Sequence, residues 1–172
     1  MLRRMLGAAT LRVAVYEEVE GDKTATGQAL LVVVLSALAT GIGSAGASDS
    51  NRTLGLVLGV VLGLVGWALW AWVTHLVGTS VFKTKETQAD WGQLARTLGF
   101  SQTPGLLNVL GVIEPISVFV ILAVTGWQFV CMVVAVKQAL DFKSTKRAIG
   151  VVLVGAIPYF LLKYVIAFLI GA

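Results

Sequence analysis

Two long uncharged runs constrain the fold of this chain more than any other feature. No charged residue falls between Thr24 and Ser48, and the run from Thr53 to Phe82 contains only His75 as a titratable side chain. About 20 apolar helical residues cross the roughly 30 Å hydrocarbon core of a bilayer. Charged residues are 13% of the 172-residue chain and apolar residues 57%, so a soluble domain would lack polar residues for its surface. The sequence therefore predicts an all-α integral membrane protein.

Four membrane-spanning helices follow directly from apolar runs, of which only the last contains a charged residue, Lys163. The first is expected from Ala25 to Gly46 and the second from Thr53 to Phe82, which is longer than a membrane requires. A third clean run extends from Ile116 to Val136, where Lys137 closes it, and the last extends from Ile149 to Ile170. Within the second run, glycines recur every four residues, which predicts a face for close helix packing at Gly55, Gly59 and Gly63.

The segment from Thr84 to Pro115 differs from these runs because it carries polar side chains and helix-breaking residues. Thr87, with Asp90 three residues later, matches a capping box, so a helix is expected to begin there. Gly99 and Pro104 are expected to interrupt that helix. A broken polar segment is tolerated in a membrane only where protein or a wet cavity surrounds it. We therefore expect this segment to contain the functional site.

The basic residues predict the orientation, because cytoplasmic loops carry an excess of Lys and Arg. Only Arg52 lies in the loop between the first two runs, whereas three groups of basic residues lie elsewhere: Arg3, Arg4, Arg12 and Lys23; Lys83 and Lys85; and Lys137, Lys143, Lys146 and Arg147. The last two groups can share the cytoplasm only if an even number of crossings joins them. The segment 87–113 is then itself a span, broken and polar, and the chain has five spans with its N-terminus inside and its C-terminus outside. The alternative is a re-entrant or surface-lying third segment, with four spans.

The first 22 residues are expected to form a separate N-terminal element, followed by a five-helix membrane domain at 23–172. One apolar face at helical spacing predicts an amphipathic helix lying in the membrane interface: Leu2, Met5, Leu6, Ala9, Val13 and Tyr16. A solvated N-terminal tail is the alternative.

The sequence carries no pattern for catalysis, cofactor binding or metal binding. It lacks a phosphate-binding glycine loop and the His-Glu-x-x-His and Gly-x-Ser-x-Gly motifs. With one histidine, His75, and one cysteine, Cys131, a zinc site would need several nearby carboxylates, and His75 has none close in sequence. The net charge of +4 does not indicate nucleic-acid binding, because the basic residues flank hydrophobic runs. Arg96 is an ionisable group in the third segment, and we expect it to pair with Asp141 at the cytoplasmic end. A contact with a lipid phosphate or a partner protein, and a role in transport, are the alternatives.

Several short stretches, in order along the chain, resemble the bacterial branch of the Yip (Ypt-interacting protein) family. They are Tyr16-Glu17-Glu18 with Asp22 and Thr24-Ala25-Thr26; Thr87-Gln88-Ala89-Asp90-Trp91 with Leu94, Arg96, Gly99 and Pro104; and Val136-Lys137-Gln138-Ala139-Leu140-Asp141-Phe142 with Ser144-Thr145 and Arg147-Ala148. The resemblance implies a five-helix membrane domain with a cytoplasmic N-terminus, here in a bacterial cytoplasmic membrane. Eukaryotic relatives are associated with Rab-type GTPases and vesicle traffic. This chain lacks their long soluble N-terminal region and their Asp-Leu-Tyr-Gly-Pro motif, so we expect no GTPase partner.

Two classes of function remain. The first is a non-enzymatic scaffold, organiser or accessory subunit that contacts membrane lipids, other membrane proteins or a second copy of itself. The second is a small transporter or channel that uses the broken third helix. The lack of an inverted repeat and the scarcity of intramembrane charge favour the first. The candidate interaction or structural residues are Asp90, Trp91, Arg96, Pro104, Asp141 and Arg147.

Overall fold

All regular structure that the computed structural model describes, at residues 1–44, 52–84, 87 and 89–170, is helical. This confirms the all-α prediction. Lys85 and most of the first inter-helix loop lie outside the described residues. The helices, in chain order, are α1 (Leu2–Ala9), α2 (Val13–Gly21), α3 (Ala25–Ser44), α4 (Arg52–Ser80), α5 (Trp91–Ser101), 3-10 helices at Thr103–Val112 and Glu114–Ile116, α6 (Ser117–Ala139) and α7 (Thr145–Ile170).

Three segments in the described part of the chain are long and apolar enough to cross a membrane: Ala25–Gly43 in α3, Leu56–Ser80 in α4 and Glu114–Ala139, most of it α6. Large apolar side chains stay exposed on their outer faces, among them Leu31, Val61 and Leu122. Such a surface would be unfavourable in water and suits contact with lipid acyl chains. The first, second and fourth predicted spans are therefore helices of the expected kind.

The third segment runs beside α3 and in the same chain direction. A Cβ atom added to Gly99 would lie 2.7 Å from Ala29 Cβ, near the start of α3. One added to Gly111 would lie 3.0 Å from the carbonyl oxygen of Gly43, near the end of α3. Gly105 contacts Ser36 between these two points. Missing side chains thus let the two backbones approach along most of α3.

The break in the third segment comes later than predicted. Helix α5 continues through Gly99, so the expectation that this glycine interrupts the helix is wrong; its role is close approach to Ala29. The α-helix ends at Ser101, and a 3-10 helix with Pro104 in its first turn follows. Proline lacks a backbone donor and disfavours α-helix in the residue before it, which explains the change of helix type there.

Helix α5 begins at Trp91, not at Thr87 as predicted. Asp90 is the N-cap: its Oδ1 accepts from the Gln93 backbone N–H at 2.8 Å, and the Asp90 N–H donates to Gln93 Oε1 at 2.6 Å. This is a capping box shifted by three residues. Thr87 closes the preceding turn, where its Oγ1 accepts from the Thr84 N–H at 3.1 Å.

The N-terminal element is a hairpin of two helices, which corrects the prediction of one continuous helix. Leu11, in the turn between α1 and α2, has φ of 60°, a left-handed conformation that ends α1. Ion pairs close the open end of the hairpin: Arg3 contacts Glu18 at 2.7 Å, and Arg4 contacts Glu18 at 2.9 Å and Asp22 at 2.7 Å.

The ends of several helices meet at one end of the bundle. Gly78, near the end of α4, packs against Leu140 just after α6, and Phe82 packs against Gly150 in the second turn of α7. Arg147 Nη1 donates to the Phe82 carbonyl oxygen at 3.4 Å. We call this the basic end, because Lys83 and Lys137 also lie there.

The prediction of a glycine packing face on α4 is correct for Gly63 and wrong for Gly59. A Cβ on Gly63 would lie 3.1 Å from Ala37 Cβ on α3, so this glycine does serve helix packing. A Cβ on Gly59 would meet no atom within 4 Å. Gly55 has no described side-chain environment. The helix-packing face therefore includes Gly63 but not Gly59.

Candidate functional site

Arg96 is a buried cation that holds the end of another helix. Only 5% of this α5 residue is exposed. Its Nε donates to the carbonyl oxygens of Val19 at 3.0 Å and Glu20 at 3.2 Å, and its Nη2 also donates to Glu20 O. These carbonyls belong to the last turn of α2, where no intrahelical donor is available. A cation at a helix C-terminus also suits the helix dipole. Arg96 therefore ties α5 to the N-terminal hairpin.

The predicted ion pair between Arg96 and Asp141 does not form. Among the described residues, the guanidinium of Arg96 binds backbone carbonyls and makes no ion pair. Asp141 lies exposed in the turn after α6, with φ of 52°. The prediction failed because it considered only side chains as partners for Arg96, and the donors of Arg96 are taken by the carbonyls of α2.

Glu20 is the acidic residue of this site, and sequence analysis missed it. Its side chain is partly buried, and its Oε1 accepts from Gln93 Nε2 at 3.2 Å. Burial, and then repulsion from Asp141, raises the pKa of Glu20 to about 7, although the charge of Arg96 acts in the opposite direction. Glu20 is thus a carboxyl group that titrates near neutral pH.

Trp91 joins α5 to α4. Its ring lies 6.4 Å from that of Trp67, at a tilt of 53°, and its Nε1 points to the Ala68 carbonyl oxygen at 3.4 Å. Trp67 Nε1 donates in turn to the Ala95 carbonyl oxygen at 3.1 Å. Trp91 still has 40% of its surface exposed. It is therefore both a packing residue and an accessible aromatic surface beside Asp90.

The six predicted site residues do not form one cluster. Asp90, Trp91 and Arg96 lie together on the first turns of α5, and the charge of Asp141 acts on Glu20 beside them. Arg147 binds the Phe82 carbonyl oxygen where α4 meets α7, and Pro104 is buried further along the third segment. We call the group of Glu20, Asp90, Trp91, Arg96 and Asp141 the α2–α5 junction.

The α2–α5 junction holds two helices together, and some of its side chains remain exposed. Its cation and its capping carboxylate are bound to backbone groups. In the described part of the chain, no three His, Cys, Asp or Glu side chains are arranged to hold a metal ion.

Several long apolar helices with large apolar side chains exposed on their outer faces define a multi-pass integral membrane protein. The family model described as Yip1 domain matches residues 10–165, from the turn after α1 well into α7. The chain belongs to the Yip1 domain family. No curated protein and no solved structure matches it.

Proposed function

We propose that this protein crosses the membrane five times with its basic end in the cytoplasm. The parallel course of the third segment along α3 supports this topology. The 11 residues of α5 and 10 of the first 3-10 helix would span about 36 Å if collinear, which is enough for a bilayer core. Helix α7, at 26 residues, is long enough to form the fifth crossing. The basic residues beside α4, α6 and α7 then obey the positive-inside rule.

Within that topology, the protein acts without enzymatic activity as a scaffold, organiser or accessory subunit. Its cytoplasmic face contacts lipids, other membrane proteins or a second copy of the chain. The observation that carries this proposal is the α2–α5 junction, where buried polar groups are bound to backbone while Trp91 and Asp141 stay exposed. Such a surface offers an aromatic anchor with charged surroundings, a combination common at protein interfaces.

Site-specific photocrosslinking in native membranes tests this function. A photoreactive amino acid at Trp91 or at exposed Glu17 should give discrete protein adducts, including any adduct with a second copy. The matched control is Phe119, which is 74% exposed near the other end of α6 and should give lipid adducts only. Equal protein adducts at all three positions, or none at Trp91 and Glu17, would contradict a specific cytoplasmic interaction face.

A transporter or channel is the second candidate, because polar side chains lie where the third segment packs against α3 and α6. Gln128 Nε2 donates to Gln102 Oε1 at 2.8 Å, and Asn108 Nδ2 donates to Thr40 Oγ1 at 3.0 Å. Asn108 Oδ1 is buried without a hydrogen-bond partner among the described residues. Solute or ion flux in proteoliposomes that Asn108→Leu abolishes, without loss of stability, would favour this candidate over the scaffold.

A further inference from the structure

The tip of the N-terminal hairpin lies beside the middle of α6. The Ala9 carbonyl oxygen accepts from Trp127 Nε1 at 2.7 Å, and the Ala8 carbonyl oxygen lies 3.7 Å from Cys131 Sγ. Trp127 precedes Lys137, the first charged residue after the apolar run, by about 15 Å of helix, and Cys131 precedes it by about 9 Å. Half of a hydrocarbon core is about 15 Å. The hairpin therefore rises from the basic end to a level within the membrane-spanning part of α6.

The backbone carbonyls at the end of α1 accept hydrogen bonds from protein groups and need no water. The last four carbonyls of a helix lack intrahelical donors, and a lipid environment offers none. Here all four accept hydrogen bonds: Leu6 O from the Thr10 N–H, Gly7 O from the Arg12 N–H, Ala8 O from Tyr16 Oη, and Ala9 O from Trp127 Nε1. The end of α2 is bound by Arg96 in the same way. The end of α1 thus meets the requirement for backbone in an apolar medium.

The outer surface of the hairpin is apolar towards its tip. Leu6 is 59% exposed, Leu11 36% and Val13 44%, whereas the ion pairs of Arg3 and Arg4 lie at the open base and exposed Glu17 lies midway along α2. This surface continues that of α6, where Trp127 and Val130 are also exposed. Arg12 is the one charged residue in the turn. Its long stem can return the guanidinium towards lipid phosphates, which lowers the cost of its position.

We propose that α1 and α2 form a re-entrant hairpin embedded in the cytoplasmic leaflet, with lipid acyl chains as the partner of its apolar surface towards the tip. This differs from a helix that lies along the interface, because the turn at 10–12 reaches towards the bilayer centre. The assignment of the leaflet rests on the proposed five-span topology. The hairpin adds two helices to the cytoplasmic half of the bundle and none to the other half.

Depth-dependent fluorescence quenching tests the embedded hairpin. The background is Cys131→Ser, which retains a donor for Ala8 O. A fluorophore is attached to single cysteines at Leu11 or Val13, and the protein is placed in mixed phosphatidylcholine and phosphatidylglycerol vesicles. Both labels should be quenched by a mid-chain nitroxide lipid as strongly as a label at Val130, and should be shielded from aqueous iodide. A label at Gly21, exposed at the base of the hairpin, should be quenched by iodide and by a headgroup nitroxide.

Two outcomes would contradict this account in different ways. If the labels at Leu11 and Val13 behave like Gly21 while Val130 remains deep, the hairpin lies outside the leaflet and the proposed topology stands. If the Val130 label is also shallow, α6 itself does not span and both proposals fail. A second position, Val13 at the start of α2, is used because Leu11 has a left-handed backbone and its replacement could unfold the turn. Thermal unfolding of each variant shows whether the fold is retained.

Discussion

Arg96 donates hydrogen bonds to backbone carbonyls and not to a carboxylate. The two carbonyls belong to Val19 and Glu20 of α2, which are 77 and 76 residues away in sequence. A guanidinium has several donors in a fixed plane and can therefore bind two carbonyl oxygens of one helix end together. A lysine at this position would offer a point charge without that geometry. The chemistry of the residue thus explains how a charge can be buried where α5 meets α2.

Replacing Arg96 should destabilise the protein more than replacing Asp141. Hydrogen bonds to charged groups contribute about 1.5–3 kcal/mol, so we expect Arg96→Met to lower the free energy of unfolding by about that amount. Arg96→Lys should recover part of the loss, and Asp141→Asn, which tolerates the left-handed backbone at this position, should have little effect. Unfolding in mixed detergent micelles measures each variant. Because the two residues do not pair, the double variant Arg96→Met with Asp141→Asn should be additive, and strong coupling would contradict this arrangement.

Glu20 should make stability fall as the pH rises through about 7. Its pKa is raised in the folded protein, so folding favours the protonated form and this stabilisation is lost on deprotonation. The charged groups that act on it are Asp141, Arg96, Glu17 and Asp90. Arginine hydrogen bonds lower the pKa of Glu18, and hydrogen bonds from Thr24 and Arg4 lower that of Asp22 to about 2, so both titrate at lower pH.

Thermal unfolding of the wild type and Glu20→Gln between pH 5 and 8 measures this dependence. The melting temperature of the wild type should decrease across the range, and the glutamine variant, which resembles the protonated acid, should show a smaller decrease. Parallel profiles for the two proteins would assign the pH dependence to other groups.

At the scale of helices, substitution by alanine should change the free energy of unfolding differently at two glycines on different helices. Gly99→Ala would place a Cβ 2.7 Å from Ala29 Cβ and force α5 away from α3, at a cost of about 1–3 kcal/mol. Gly59→Ala adds a Cβ in open space and should be neutral or stabilise α4 by up to about 1 kcal/mol. Chemical unfolding in detergent compares them. Equal effects would mean that the contact between α5 and α3 does not depend on Gly99.

The long apolar helices were predictable because their signal is local. The uncharged runs placed α3, α4 and α6 to within a few residues, since apolar length alone indicates a membrane span. The hairpin was missed because its turn depends on Leu11 adopting a left-handed conformation that no sequence pattern marks. The partners of Arg96 were missed because they are backbone carbonyls, and the side-chain sequence does not show which carbonyls are available to accept hydrogen bonds. By contrast, the Asp90–Gln93 capping box was readable in the sequence and was assigned three residues too early.

For the whole molecule, the number of crossings decides which surfaces meet the cytoplasm. The third segment determines this number, because the three apolar spans do not by themselves place the loops beside α4 and α6 on one side. If the segment crosses fully, Glu114 lies on the opposite side from Val81 and Thr145. If it turns back, Glu114 lies on the same side as Val81, and Thr145, at the other end of α6, lies on the opposite side. Glu114 is exposed, and acidic residues contribute little to orientation, so it can be replaced without disturbing the topology.

Cysteine labelling in intact cells therefore tests the five-span account most directly. In the Cys131→Ser background, single cysteines are introduced at Glu114, Val81 and Thr145 and treated with a membrane-impermeant maleimide. The account predicts that Glu114→Cys is labelled in intact cells, whereas Val81→Cys and Thr145→Cys are labelled only after permeabilisation. Protection of Glu114→Cys together with labelling of Thr145→Cys in intact cells would show that the third segment returns to the cytoplasm, and labelling of Val81→Cys from outside would reverse the proposed orientation.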